Sequence, residues 1–210
     1  MSHRDTYERY REVGTQLNSD ILDVYSEREL LLDSAETLGI DHDGTNIFYD
    51  YQSDMTVHYE FLLYEYQWNG TTVARRYYEQ EHWETDTERT ILEARLEADT
   101  SLFEITAVDE AESQLEVTDV LNDGRGYTIL DMSLSRTAEP GPLLFFRPVE
   151  YGEFAKTSGV FLPFPNDERE RLLTEYENRG AHLEAAPSSL RRYVAFYDLY
   201  RDFGIHVQYQ

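Results

Sequence analysis

The first hundred residues carry apolar side chains at the period of an α-helix. The first stripe recurs at spacings of three and four, which predicts an amphipathic helix. Its members are Tyr10, Val13, Leu17, Ile21 and Val24. Ser26 followed by Glu29 is typical of a capping box and begins the next helix, which Gly39 ends because glycine tolerates a left-handed conformation. These two segments form either a helical hairpin or one long helix broken near Asn18-Ser19.

Three further helices are predicted, each with a capping residue in front of an apolar stripe. The expected caps are Ser53, then Thr71 or Thr72, and then Thr85 with Glu88 three residues later. The third helix has apolar residues at spacings of four, three and four. They are Val57, Phe61, Tyr64 and Trp68. The agreement of caps with stripes favours a helical N-terminal half.

At Ser101 the period of the apolar pattern changes from 3.6 to 2, which indicates β-strands. Five short strands are predicted, with Asn122-Asp123-Gly124 as a turn between two of them. Pro148 and Pro163 are expected to end the last two strands, because proline cannot donate a hydrogen bond to a sheet. The last strand is expected over roughly Phe154 to Phe161. The pattern predicts a compact antiparallel sheet or a small barrel.

Helical patterns return after the strands. Asn166 is the expected cap of one helix, and Ser188 or Ser189 is the expected cap of another, which Gly204 ends. An added edge strand is predicted from the alternation of Ile205, Val207 and Tyr209.

The order of these elements predicts an α+β fold, with N-terminal helices, a central small antiparallel sheet or barrel of about five strands, and C-terminal helices. We interpret residues 1–210 as a single domain. Residues 1–100 are mainly helical, residues 101–165 form the β module, and residues 166–210 are helical.

Charge adds a statement about habitat. The sequence has 42 acidic and 18 basic residues, a net charge of −24, and Lys156 is its only lysine. An acidic chain with arginine in place of lysine resembles the proteins of salt-accumulating halophilic archaea. At molar salt the Debye length falls to about 3 Å, which screens the self-repulsion that opposes folding in dilute buffer. We therefore expect a halophilic protein located in the cytoplasm.

Composition also excludes several classes of function. Cysteine is absent, which excludes disulfides, thiolate metal sites and cysteine nucleophiles. No apolar run is long enough to span a membrane. Nucleic-acid binding is not expected, because phosphate contacts weaken steeply as salt rises. No cofactor is predicted, since the sequence has no phosphate-binding loop or dinucleotide fingerprint.

The order of segments between Val57 and Phe164 resembles a group of uncharacterised prokaryotic proteins. The segments that carry this resemblance are HYEFLLYEYQWNG, TTVARRYYEQ, TERTILEARLEADTSLFEI, LEVTDVLNDG, DMSLS, PGPLLFFRPV and TSGVFLPF. In that group a similar stretch often accompanies a cysteine-rich, zinc-binding SEC-C motif. This motif is absent here, so the resemblance implies helices followed by a barrel and supplies no activity.

Histidines and carboxylates are candidates for catalysis. His58 lies on the third predicted helix, where it is either a general base or a partly buried histidine with one hydrogen bond. His82 lies among glutamates, and either histidine would serve a metal-assisted hydrolase. With one residue in five a carboxylate, such neighbours also arise by chance, so no metal site is assigned.

Candidate ligand-binding residues are Arg147, Asp119 and Asp131. Each lies at or near a predicted strand end, where side chains can converge at a barrel mouth. Arg147 would hold a carboxylate bidentately, either one of these aspartates or an anionic ligand.

We interpret the chain as a non-enzymatic module that binds an unknown protein partner or forms a homo-oligomer. The alternatives are a metal-assisted hydrolase that uses carboxylates and a histidine, and an anion sensor built on Arg147.

Overall fold

A computed structural model describes residues 3–122, 124–152, 154–179 and 181–205. The chain divides into two compact units, Met1–Ala98 and Asp99–Gln210. The α+β class predicted from the sequence is confirmed, with helices at both ends and a closed five-stranded barrel between them.

The described residues of the first unit form five helices. They are α1 (His3–Tyr25), α2 (Arg28–Leu38), α3 (Gln52–Tyr64), α4 (Val73–Glu79) and α5 (Asp86–Glu97). The α1 helix continues through Asn18-Ser19, and the chain leaves it at Tyr25. The possibility of one long helix broken near Asn18-Ser19 is therefore wrong.

Three of the expected helix signals are confirmed. Gly39 adopts a left-handed conformation (φ 77°) after α2. The Thr72 side chain accepts a hydrogen bond from the Arg75 amide, and the Thr85 side chain accepts one from the Glu88 amide. These side chains satisfy amides that the first turn of a helix leaves unpaired.

Two expected caps are wrong. Glu27 rather than Ser26 precedes α2, and Tyr51 rather than Ser53 precedes α3. At α3 the capping hydrogen bond runs in the opposite direction along the chain. The Asp54 carboxylate, inside the helix, accepts a hydrogen bond from the amide of Tyr51, the residue before the helix, at 3.0 Å. An acid at the third helical position thus replaces a capping hydroxyl.

Trp68 lies beyond α3 rather than on it. It pairs with Thr71 in an isolated antiparallel bridge. Between them Asn69 and Gly70 both have positive φ, 55° and 83°. Asparagine and glycine are the residues that adopt this conformation most readily, so the dipeptide closes a two-residue hairpin.

A buried arginine joins three helices of the first unit. Arg95, on α5, donates through Nη1 to the Gly14 carbonyl at 3.2 Å, to Asn18 Oδ1 at 2.6 Å and to the Tyr64 hydroxyl at 2.9 Å. A Cβ atom at Gly14 would lie 2.6 Å from Arg95 Nη2. The absence of a side chain at Gly14 therefore makes room for the guanidinium.

The second unit is built on the barrel. Its strands are β1 (Ser101–Asp109), β2 (Gln114–Asp119), β3 (Gly126–Leu130), β4 (Leu143–Glu150) and β5 (Ala155–Phe164). They close in the order β1-β2-β3-β5-β4. Four pairings are antiparallel, as expected, whereas β3 and β5 pair in parallel at Ile129 and Ala155. The barrel interior is filled by Phe103, Ile105, Leu115, Val117, Ile129, Leu144, Phe146 and Ala155.

Both prolines lie inside strands rather than ending them. Pro148 pairs with Thr157, and Pro163 pairs with Leu144. Residues 143–146 of β4 also pair with β1, whereas among the described strands β5 alone pairs with the part of β4 around Pro148. Proline is tolerated where one side of a strand carries no ladder.

Lys156, the only lysine of the sequence, is buried in β5. Its ammonium donates to the backbone oxygen of Thr157 at 2.7 Å.

Helices α6 (Arg169–Arg179) and α7 (Ser188–Phe203) follow the barrel. Phe196 of α7 stacks on Phe145 of β4 with ring centroids 4.5 Å apart, so α7 covers the outer face of the barrel. Pro187 rather than Ser188 or Ser189 precedes α7, and its Gly204 stop is confirmed.

Asn166 begins a 3₁₀ turn in front of α6. Of the expected edge strand, Val207 and Tyr209 lie outside the described residues. Among the helices that the structure describes, none is both long and apolar enough to cross a membrane.

Candidate functional site

The ligand-binding candidates of the barrel do not form one cluster. Asp119 lies at the end of β2 and Asp131 directly after β3, and these neighbouring strands are antiparallel, so the two carboxylates lie at opposite ends of the hairpin. They are six residue positions apart along the hairpin, or roughly 20 Å. They therefore do not converge at one barrel mouth.

Each of these carboxylates accepts hydrogen bonds from amides of the turn that follows it, and Asp119 also accepts one from β1. Asp119 Oδ1 accepts hydrogen bonds from Ser101 Oγ at 2.8 Å and from the amides of Leu121 and Asn122 at 2.8 and 3.0 Å. Asp131 Oδ1 accepts from the amides of Ser133 and Leu134 at 3.0 and 2.9 Å.

Arg147 is buried in β4 at a shift of register between Phe146 and Pro148. Neither Asp119 nor Asp131 pairs with it. A ligand-binding role for any of the three residues stays a prediction.

His58 is the centre of a buried hydrogen-bonded chain in the first unit. Its Nε2 lies 2.8 Å from Ser34 Oγ, and its Nδ1 lies 2.8 Å from the Tyr49 hydroxyl. Ser34 donates its one hydroxyl proton to the Leu31 carbonyl at 3.0 Å. The Ser34 oxygen therefore accepts from His58 Nε2–H, and His58 Nδ1 accepts from the Tyr49 hydroxyl.

The direction of these hydrogen bonds determines whether His58 can activate Ser34 as a nucleophile. A histidine that activates a serine must accept the serine proton, and here Ser34 faces an N–H donor instead. His58 and Ser34 are both fully buried. Of the two interpretations of His58, the structure is closer to the buried histidine: it is fully buried, has a partner at each ring nitrogen and fastens Tyr49 to α3.

Burial controls the protonation of this chain. Removal from solvent lowers the pKa of His58 from 6.5 to about 4. Burial, together with the nearby Tyr59 and Asp54, raises the pKa of Tyr49 to about 12. At neutral pH both groups are therefore uncharged, which suits a buried position.

The other histidine proposed for a metal site is placed differently. His82 is exposed, and its Nε2 lies 3.0 Å from Gln80 Oε1 rather than beside a carboxylate. Among the described residues, no three histidine, aspartate or glutamate side chains converge closely enough to hold a metal ion.

The connection before α3 is a short hairpin fixed by an aspartate turn. His42 and Ile47 form an antiparallel bridge. Asp43 Oδ1 accepts hydrogen bonds from the amides of Asn46 and Thr45 at 2.7 and 2.8 Å. These hydrogen bonds, that of Asn46 first, lower the pKa of Asp43. The Arg28 guanidinium donates to the Gly44 carbonyl, so the hairpin is also tied to α2.

Three large apolar side chains are exposed between the end of this hairpin and the first turn of α3. Phe48 is 54% exposed, Tyr51 45% and Met55 37%. Between the first two, Tyr49 turns inward to His58, which fixes the backbone that presents its neighbours. We call Phe48, Tyr51 and Met55 the apolar surface.

Sequence reasoning missed the apolar surface, although a signal was present. The buried face of α3 follows Val57 and Phe61. Met55 precedes Val57 by two residues, or about 200° around a helix, and so lies on the opposite side. A large apolar residue that lies outside the buried face of its own helix is a candidate for contact with a binding partner.

The stretch of sequence that contains this surface is rich in carboxylates. From residue 29 to residue 74 the sequence has no lysine or arginine. The same segment has nine carboxylates, at Glu29, Asp33, Glu36, Asp41, Asp43, Asp50, Asp54, Glu60 and Glu65.

Comparison with known proteins adds a family. A family model described as a family of unknown function, DUF7986, matches residues 1–210. The chain belongs to the DUF7986 family. No curated protein and no solved structure matches this DUF7986 chain. The resemblance to proteins that carry SEC-C motifs therefore stays a prediction.

Proposed function

We propose that this protein is an interaction module whose apolar surface binds a short protein segment with apolar side chains flanked by lysine or arginine. The observation that carries the proposal is the exposure of Phe48, Tyr51 and Met55 within eight residues of chain. Such groups of exposed apolar side chains mark interaction sites more often than scattered single ones do.

The size of the surface favours a short segment over a second copy of the chain. A fully exposed aromatic side chain offers roughly 200 Å², so three half-exposed side chains offer roughly 250 Å². A stable protein–protein interface buries about 800 Å² on each partner. The apolar surface covers only a part of that area, which suits a peptide or a transient contact.

Charge points to the same kind of partner. Nine carboxylates and no lysine or arginine occur between residues 29 and 74. A second copy would bring the same carboxylates to the interface, and like charges in contact are unfavourable. Asp54, Glu60 and Glu65 are buried, but Glu29, Glu36, Asp41, Asp43 and Asp50 are exposed. A partner segment with lysine or arginine would pair with these exposed carboxylates at distances too short for salt to screen fully.

We propose further that the protein works in concentrated salt in the cytoplasm. The support is its net charge of −24 with one lysine, since a compact state with this charge gains from screening. Apolar contacts persist at high salt, so the apolar surface would supply most of the affinity there.

A metal-assisted hydrolase built on His58 is disfavoured by the geometry of that residue. Both of its ring nitrogens are engaged within the protein core, by Ser34 and Tyr49.

The proposal is tested with a short synthetic peptide that carries leucine and lysine at helical spacing. Fluorescence anisotropy in concentrated KCl should show saturable binding to the wild type. Phe48→Ser and Met55→Ser should each weaken it about tenfold, because burial of such a side chain contributes about 1.5 kcal/mol or more. Ile205→Ser is the matched control, since Ile205 is 40% exposed and lies in the other unit.

Two analogues of the peptide separate its two features. A leucine-to-serine analogue should lose binding, and a lysine-to-glutamate analogue should bind more weakly. The proposal is overturned if Phe48→Ser binds as well as Ile205→Ser. Self-association of the wild type that Phe48→Ser abolishes, measured by sedimentation, would also overturn it in favour of a homo-oligomer.

A further inference from the structure

A small cavity in the second unit is lined by two arginines. Its volume is about 250 Å³, and its walls are Tyr176 and Glu177 of α6 together with Ser188, Arg191 and Arg192 of α7. The liquid share of one water molecule is about 30 Å³, so the cavity has the size of a small ligand rather than of a nucleotide.

The charges of the two arginines are not neutralised by carboxylates of the described residues. Arg179, for comparison, bonds to Asp198, Asp202 and Glu175. Neither Arg191 nor Arg192 forms an ion pair with a described carboxylate, although the sequence has 42 acidic residues. Arg192 is held in place by donating to the backbone oxygen of Thr100.

Arg191 also leaves a buried donor unsatisfied. Its Nε–H is shielded from solvent and finds no acceptor among the described residues. A buried polar atom without a partner is uncommon, and an absent ligand is one physical reason for it. A guanidinium donates in a planar fork, which matches the oxygens of a phosphate or a carboxylate.

Hydroxyl donors and a stacked ring complete the walls. The ring of Tyr176 stacks on Phe196 with centroids 5.5 Å apart, which fixes its position beside the arginines. Ser188, the first residue of α7, also lines the cavity with its hydroxyl-bearing side chain. Glu177 is the one acidic wall among these five residues and opposes an anion.

We propose that this cavity binds a small oxyanion, a phosphate group or a carboxylate, through the guanidinium groups of Arg191 and Arg192. The site is independent of the apolar surface, which lies in the other unit.

The test uses inorganic phosphate as the probe and acetate as the second arm, at a fixed KCl concentration in which circular dichroism shows the folded state. Isothermal titration should give one saturable site for the wild type. Stronger binding of phosphate would identify a phosphate group as the natural ligand chemistry, and stronger binding of acetate a carboxylate.

Charge-matched variants separate a built site from general attraction. Arg191→Gln should weaken binding about tenfold to hundredfold, the usual effect of losing hydrogen bonds to a charged group. Arg136→Gln is the control, because Arg136 is exposed in the same unit and changes the net charge equally. Glu177→Gln should tighten binding about twofold, since it removes a like charge.

Arg191→Lys is the second variant, for use if Arg191→Gln fails to fold. It keeps the positive charge and removes the planar set of guanidinium donors. It should still bind more weakly than the wild type. The proposal is overturned if the wild type shows no saturable binding of either anion, or if Arg136→Gln loses as much affinity as Arg191→Gln.

Discussion

Acid should destabilise the first unit through His58. Burial lowers the pKa of His58 from 6.5 to about 4 in the folded protein. Between these two values the unfolded chain binds a proton that the folded protein does not. The stability contributed by neutral His58 is therefore complete above pH 6.5 and is lost as the pH falls toward 4.

The size of the effect follows from the two pKa values. At pH 4.5 the unfolded histidine is almost fully protonated, whereas the buried one is only partly so. Linkage then predicts a loss of roughly 2.5 kcal/mol in the free energy of unfolding between pH 7 and pH 4.5. This is a large fraction of the stability of an ordinary domain.

The assay is urea denaturation at both pH values in constant KCl, for the wild type, His58→Gln and His82→Gln. Carboxylates titrate in all three proteins, so only the difference between their losses is informative. His58→Gln should lose roughly 2.5 kcal/mol less than the wild type on acidification. His82→Gln should behave as the wild type, since His82 is exposed. Equal losses for the wild type and His58→Gln would refute the buried, neutral histidine.

Three further substitutions test the packing and the charges. Gly14→Ala should destabilise the protein by about 1–3 kcal/mol in urea despite alanine's helix propensity, because its Cβ would lie 2.6 Å from Arg95 Nη2; a stabilised variant would contradict this. Thr85→Ala should cost about 1 kcal/mol through loss of the cap on α5; an unchanged urea midpoint would argue against it. Arg179→Gln should cost about 1 kcal/mol, and more at low KCl, because three carboxylates then face one another; a loss independent of KCl would speak against an ionic origin.

Local signals predicted the helices well where side chain and backbone act within one turn. Thr72 and Thr85 accept from amides three residues later, and Gly39 needs only its own backbone freedom. Ser53 failed as a cap because Asp54, one residue further on, bonds to the Tyr51 amide and begins α3 two residues earlier. Competing caps in one stretch are separated only by the packing of the helix.

The order and pairing of the strands could not be predicted from the sequence. Pro148 is compatible with β4 only because β1 no longer pairs there, and strand order is a property of the closed barrel. The parallel contact between β3 and β5 is equally non-local. Single-chain patterns predict strand positions but not their neighbours.

The site residues failed to converge for the same reason. Asp119 and Asp131 both follow strands in the sequence, but antiparallel order places them at opposite ends of a hairpin. Both carboxylates accept hydrogen bonds from nearby backbone amides, a role that a count of carboxylates does not reveal. The partners of His58 come from α2 and from the hairpin before α3, so no spacing rule could have predicted them.

Because Lys156 is buried, its chemical modification can measure how often the barrel opens locally. A reagent that acylates lysine amines meets none on the folded surface, because the only lysine is enclosed in β5. Modification at Lys156 therefore requires the strand to open, and its rate measures the frequency of that opening, as hydrogen exchange does for amides. One mass measurement over time would give the local stability of the barrel with no label introduced by mutation.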